Sequence, residues 1–175
     1  MAEANNKEFS TKQEKMVASQ LGGYPVGLSG AGPANPGDVR TYEWLVECKT
    51  HTTPGKPIFF DIDVWKKIEN EAMGVHRKPV LVVDDGSQSA SSTWCLCKSF
   101  NINLSGAISV DLPVKIRKNI SCKHDKLLAG LKAISKSKIH ENTFYSNSIM
   151  VYEVNWGSED VVIMPLSTFK ELFEK

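Results

Sequence analysis

The sequence predicts an α/β fold in which helices flank a central mixed β-sheet. Segments with helical spacing of apolar residues alternate with short runs of β-forming residues, in the order helix, three strands, helix, strand, strand. One of these runs, residues 79–83, is apolar throughout. The length of 175 residues, 41% of them hydrophobic and 23% charged, suffices for one packed domain.

The elements of the first 105 residues follow from spacing and turn residues. Apolar side chains recur at helical spacing over residues 8–21, and Gly22-Gly23 then predicts the end of a helix. Residues 29–37 are a loop by composition, and Thr52–Pro57 is a second turn-rich stretch. The other expected elements are strands at 24–28, 38–42, 44–50, 79–83 and 93–98, an extended segment at 58–60 and a helix at 61–73.

Residues 106–175 predict a C-terminal α+β extension to the 1–105 core, either a separate lobe or part of the same domain. The expected elements are an extended stretch at 113–120, a basic helix at 125–137, strands at 149–155 and 161–164, and a final helix from Ser167. Residues 113–140 contain eight Lys or Arg and one acid, whereas residues 38–71 contain seven acids and five bases. This separation of basic and acidic segments suits a polyanionic partner and a carboxylate site. A basic helix that only faces solvent would have the same composition.

Composition narrows the possible function classes. No apolar run reaches the roughly 18–20 residues that span a bilayer, and the N-terminus has no apolar signal region. We therefore expect a cytoplasmic protein with no membrane partner. Its four cysteines are expected to be thiols or metal ligands. The net charge of +1 rules out nucleic-acid binding through overall basicity.

A Glu and a Lys share one face of the strand Trp44–Lys49. Because side chains alternate along a strand, Glu47 and Lys49 project together and Cys48 projects to the other face. If residues 38–42 pair antiparallel with this strand, Asp38 lies near Lys49, and Glu47 is about one residue pair away. Two carboxylates beside an ammonium can hold Mg²⁺ and position a water for attack on a phosphodiester.

These residues resemble a known nuclease signature. Pro36-Gly37-Asp38, eight intervening residues and then Glu47-Cys48-Lys49 are similar to the PD-(D/E)XK pattern. The order of Glu14, Ser29-Gly30, Asp38, Glu47 and Lys49 resembles the archaeal-type and phage-type Holliday-junction resolvases, over residues 8–98. Cys48 stands where that family usually has Val or Leu.

The resemblance implies a restriction-endonuclease-like core, a Mg²⁺ cofactor with Mn²⁺ as a substitute, and a homodimer that cleaves branched or duplex DNA. Asp38 and Glu47 would ligate the metal, and Glu14 would be a further carboxylate of the metal site. Lys49 would orient the attacking water or stabilise the developing charge, and Ser29 would contact the scissile region. Beside this resemblance, the basic stretch predicts Lys115, Arg117 and Lys118 as DNA-binding residues.

Three of these residues also have simpler structural explanations. Thr11 with Glu14 three residues on resembles a capping box, Asp38 could merely open a strand, and Ser29 could serve only its turn. The chain could instead be a restriction-like enzyme, an exonuclease or a non-catalytic nucleic-acid-binding module. A zinc site is a further possibility, and its ligands would be Cys95, Cys97, Cys122 and His124.

Overall fold

The computed structural model describes residues 2–27, 35–56, 58, 60–103, 107–111, 149–156 and 159–173. Three α-helices lie in these ranges, namely α1 (Ala2–Leu21), α2 (Ile62–Gly74) and α3 (Leu166–Phe173). The strands are β1 (Tyr24–Pro25), β2 (Val39–Arg40), β3 (Trp44–Lys49), β4 (Lys78–Asp84), β5 (Thr93–Lys98), β6 (Ala107–Asp111), β7 (Ile149–Trp156) and β8 (Glu159–Pro165).

All eight described strands belong to one mixed sheet. Their order is β1-β2-β3-β4-β5-β8-β7-β6. β3 and β4 are parallel and are joined through α2, while β2 and β5 run antiparallel to them. At the far side, β8 pairs antiparallel with both β5 and β7, and β6 pairs parallel with β7. The predicted α/β class with a central mixed sheet is confirmed.

Each face of the sheet has its own hydrophobic core. On one face, Trp65 and Ile68 of α2 pack with Leu81 of β4. On the other, Val17 of α1 and Phe169 of α3 pack with Val82 of β4. Successive residues of β4 therefore enter opposite cores, and burial on both faces explains why this strand is apolar throughout.

The first helix begins six residues earlier than predicted. α1 starts at Ala2, so Thr11 lies in its interior and cannot be an N-terminal cap. The capping-box explanation of Glu14 is therefore wrong. The second helix agrees with its prediction to within a residue: Asp61 is its N-cap, and Asp61 Oδ1 accepts hydrogen bonds from the N–H groups of Asp63 and Val64.

The hairpin between β2 and β3 has a different register from the expected one. Val39 pairs with Val46 and Arg40 with Leu45, so the residue before β2, Asp38, lies opposite Glu47 and not Lys49. The turn sets this register, because Thr41 N–H donates to Trp44 O at 3.0 Å and Trp44 N–H donates to Thr41 Oγ1 at 3.0 Å. Only two residues of the predicted strand 38–42 are in β2.

The described part of residues 106–175 is joined to the sheet through β8. α3 starts at Leu166, one residue before its predicted start, and Phe169 lies 5.0 Å from the ring of Trp44 in an edge-on contact. The predicted extended stretch at 113–120 and the basic helix at 125–137 lie outside the described residues. Within the described ranges, no helix is long and apolar enough to cross a bilayer.

Candidate active site

Two hydrogen bonds with the backbone of β3, one from the main chain of Asp38 and one to its carboxylate, fix Asp38 at the edge of the hairpin. Asp38 N–H donates to Val46 O at 2.7 Å, and Cys48 N–H donates to Asp38 Oδ2 at 2.8 Å. Both partners flank Glu47 in β3. The carboxylate of Asp38 is therefore held beside Glu47, the other acid that the sequence predicts as a metal ligand.

Glu47 and Lys49 form an ion pair on the α2 side of β3. Lys49 Nζ donates to Glu47 Oε1 at 2.6 Å, which confirms the prediction that these side chains project together. Glu47 is only 4% exposed, whereas the side chain of Lys49 is 49% exposed. A carboxylate buried in this way requires a cationic partner, because desolvation of an unpaired charge is costly.

A second lysine reaches Glu47 from α2. Lys67 Nζ lies 3.4 Å from Glu47 Oε2 and 3.4 Å from Glu71 Oε1, one helical turn further along. Desolvation is the largest single influence on the pKa of Lys67 and lowers it. The charges and hydrogen bonds of Glu47 and Glu71 together outweigh desolvation, so the pKa is raised overall. Glu71 in turn accepts a hydrogen bond from Gly37 N–H, at 3.2 Å from Oε2. α2 is thus connected both to Glu47 and to the turn that precedes Asp38.

Gly37 is required for the approach of that turn to β3. Its φ is +70°, a backbone conformation that residues other than glycine rarely adopt. A Cβ at this position would lie 2.7 Å from Leu45 Cδ1 and 3.2 Å from Val46 O. A residue with a Cβ would clash with Leu45 at this position. Gly37 therefore allows the close turn that places Asp38 beside Glu47.

Glu14 of α1 is a third carboxyl group, and it interacts electrostatically with Asp38 and Glu47. Burial, followed by the negative charges of Asp38 and Glu47, raises the pKa of Glu14 from 4.5 to about 7, and the charge of Lys49 opposes this rise only partly. The neighbouring Gln13 anchors α1 here, because its Nε2 donates to Lys49 O at 2.8 Å. The helix passes over the end of β3 and places Glu14 within electrostatic reach of the other two acids.

The donor set suits a hard divalent cation. Carboxylate oxygens are the ligands of Mg²⁺, which commonly takes one or two of them and completes its shell with waters and phosphate oxygens. Among the described residues, no three His, Cys, Asp or Glu side chains lie together in an arrangement that holds a metal ion. The predicted metal-site roles of Asp38, Glu47 and Glu14 therefore remain predictions.

The cysteines of the described sheet belong to its core. Cys48 is 8% exposed, and Cys95 and Cys97 are fully buried on the face of the sheet that packs against α1 and α3. Burial raises the pKa of all three thiols, and for Cys48 the charge of Asp38 adds to the effect. The other two suggested zinc ligands, Cys122 and His124, lie outside the described residues.

The structure brings together four of the five predicted catalytic residues: Glu14, Asp38, Glu47 and Lys49. Ser29 lies outside the described residues, as do the predicted DNA contacts Lys115, Arg117 and Lys118.

Sequence reasoning missed three residues that support this group. Lys67 and Glu71 have an i,i+4 spacing, which was the available signal for a shared helix face. Gln13 offered only a polar residue beside Glu14, because its bond to Lys49 O depends on how α1 crosses the sheet.

Comparisons of the chain with models of protein families, with curated proteins and with solved structures gave no match. Any function must therefore be inferred from the geometry of these residues.

Proposed function

We propose that this protein is a Mg²⁺-dependent DNA endonuclease of the PD-(D/E)XK type that acts in the cytoplasm on branched DNA as a Holliday-junction resolvase. The observation that carries the proposal is the grouping of Asp38, Glu47 and Lys49 at one end of β3. The pKa of Glu14 is raised by burial and, in addition, by the charges of these two acids. The topology supports it as well, since the hairpin, α2 and β4 follow in the order of a restriction-endonuclease-like core.

Asp38 and Glu47 would hold the metal ion. Bound Mg²⁺ would polarise the scissile phosphodiester and lower the pKa of a water ligand. The hydrogen bond from Cys48 N–H leaves Asp38 Oδ2 fixed in orientation, and Lys67 steadies Glu47 from α2. Both carboxylates are thus held by the fold itself, which reduces the reorganisation needed at the moment of reaction.

Lys49 would act on the reacting phosphate. Its ammonium is paired with Glu47 at 2.6 Å, its backbone carbonyl is held by Gln13, and half of its side chain is exposed. The ammonium group can therefore reach an exposed phosphate while the backbone of Lys49 stays fixed. There it would stabilise negative charge that grows in the transition state or orient the attacking water.

Glu14 would strengthen the preference for a cation. With a pKa of about 7, its carboxyl is partly ionised at neutral pH and carries negative charge toward Asp38 and Glu47. A divalent cation bound there would relieve the repulsion among the three acids. The basic residues Lys115, Arg117 and Lys118 are proposed to contact DNA phosphates without reading base sequence.

The substrate is tested by a panel of a four-way junction, a flap, a duplex and a single strand, each with and without Mg²⁺. A resolvase cuts the junction on two opposing strands only with the metal, and Asp38→Asn abolishes cutting while binding persists. Asp63→Asn is the matched control, because Asp63 is an exposed acid in the first turn of α2. Preferential cutting of duplex or of strand ends would instead indicate a restriction-like enzyme or an exonuclease, and no cutting of any substrate would contradict the nuclease proposal.

Resolution of a junction requires two symmetric cuts, so a two-fold dimer with two copies of the site is the proposed assembly. Light scattering should give close to twice 19.4 kDa. A monomer that stays monomeric on junction DNA and nicks one strand would refute the resolvase assignment but not the nuclease chemistry.

A further inference from the structure

A cavity of about 280 Å³ opens beside Lys49 on the α2 face of the sheet. This volume lies just below the ~300–1,000 Å³ of typical small-molecule sites, so it suits a ligand with a single ring system. Apolar side chains from α2 and β4 form one part of its lining, namely Val64, Leu81 and Val83. Leu81 and Val83 are at most 3% exposed, which makes this part of the wall a fixed element of the core.

Polar groups line the rest of the cavity. Thr50 and His51 follow directly after β3, and Asp61 is the N-cap of α2. Thr50 Oγ1 donates to Asp84 Oδ1 at 2.9 Å, and Asp61 Oδ1 is held by two N–H groups of its own helix. The polar side of the cavity is therefore ordered by contacts with the fold and does not depend on a ligand to shape it.

Lys49 lines this cavity and also pairs with Glu47 in the candidate active site. A ligand in the cavity and a phosphate at the active site would thus share one side chain. A nucleotide joins a flat, largely apolar ring with hydrogen-bonding edges to a phosphate, and this combination matches the cavity with its apolar wall, its polar groups and the neighbouring ammonium.

We propose that the cavity binds one unpaired nucleobase of the DNA whose phosphate lies at the active site. This inference rests on the proposed function, since it assigns a base-binding subsite to the same nuclease. A base must leave its stack to enter, and the energetic cost is lowest where pairing is already interrupted, as in single strands and damaged duplexes. Among branched substrates, the subsite would favour one with an unpaired base near the cleaved bond over one that is paired throughout.

The test uses mononucleotides and needs no cleavage. Saturation-transfer NMR and calorimetry with the full chain compare deoxyadenosine monophosphate, thymidine monophosphate and base-free 2-deoxyribose 5-phosphate. We expect both mononucleotides to bind at least about tenfold more tightly than the base-free sugar phosphate, because the base would bury apolar surface against Val64, Leu81 and Val83. Saturation transfer should be strongest to the protons of the base.

Val64→Phe should fill the cavity and remove this preference. Val64 is only partly buried, so a larger ring can be accommodated, and circular dichroism melting verifies that the variant folds. Met73→Phe is the matched control, because Met73 is 72% exposed on the same helix and does not line the cavity. His51→Ala is a second variant, which removes a polar group without filling space.

Equal affinity for mononucleotides and the sugar phosphate would overturn the inference, as would unchanged base binding in a folded Val64→Phe protein. Either result leaves Mg²⁺-dependent cleavage of the DNA panel untouched, so the failure of the base subsite is distinguishable from the failure of the proposed function. Base-selective binding that is lost in Val64→Phe and kept in Met73→Phe would support it.

Discussion

Replacement of Glu14 by Gln should make the protein more stable, and only at neutral and alkaline pH. The folded pKa of Glu14 is raised above the value of 4.5 that it has in an unfolded chain, to about 7. The folded state therefore binds the proton more tightly, and the wild type loses stability as the pH rises from about 4.5 to about 7. Glutamine resembles the protonated form at every pH and escapes this loss.

The magnitude follows from the shift and from the exposure of the side chain. At 1.36 kcal/mol for each pKa unit, the full rise corresponds to about 3.4 kcal/mol. Glu14 is only partly buried, so solvent screening reduces this value, and we expect a gain of about 1–2 kcal/mol for Glu14→Gln at pH 8. At pH 4 the two proteins should differ by no more than a few tenths of a kcal/mol, because both carry a neutral side chain.

Urea unfolding followed by circular dichroism at pH 4, 6 and 8, with chelator present, measures this difference. Glu8→Gln is the control, since Glu8 is exposed on the same helix, and it should follow the wild type at each pH. A Glu14→Gln protein that is no more stable than the wild type at pH 8, or that differs from it equally at pH 4 and pH 8, would refute the raised pKa that burial and the charges of Asp38 and Glu47 give Glu14.

Three further substitutions test other parts of the account. Gly37→Ala should cost about 2–3 kcal/mol in urea unfolding, because its Cβ would meet Leu45 in a backbone conformation with positive φ; an unchanged stability would contradict the tight turn. Glu159→Gln should cost about 2–4 kcal/mol, measured in the same way, because Glu159 is buried and pairs with Lys66 and Lys98; a loss below 0.5 kcal/mol would mean that this pairing is not structural. Lys49→Ala should lower the single-turnover cleavage rate about 10²-fold or more while DNA affinity, measured in Ca²⁺, changes less than about tenfold; equal losses would make Lys49 a phosphate anchor only.

The sequence predicted α2, β4 and β5 closely because the residue pattern that indicates each of them lies within its own segment. The apolar run at residues 79–83 became β4, and residues 93–98 became β5 with the same limits, since burial on both faces requires such composition. The common face of Glu47 and Lys49 follows from strand alternation alone, and the structure places them 2.6 Å apart. These inferences needed no knowledge of how distant segments meet.

Features that depend on tertiary contacts escaped prediction. The hairpin register was set by the Thr41 side chain in the turn, so Asp38 came to lie opposite Glu47. The extension of α1 to Ala2 removed the capping role of Glu14, and only the crossing of α1 over β3 shows which side chains Glu14 faces. Lys67 entered the site because α2 packs against β3, which its own spacing could not reveal.

The central claim is that Asp38 and Glu47 are the ligands of one divalent cation, and metal binding without DNA tests it most directly. Electron paramagnetic resonance titration of Mn²⁺ counts bound ions in the wild type, Asp38→Asn, Glu47→Gln and the control Asp63→Asn. We predict one ion for each chain in the wild type and in Asp63→Asn, and a loss of that ion in Asp38→Asn and Glu47→Gln. Mn²⁺ binding that is equal in all four proteins, or absent from the folded wild type, would contradict the account.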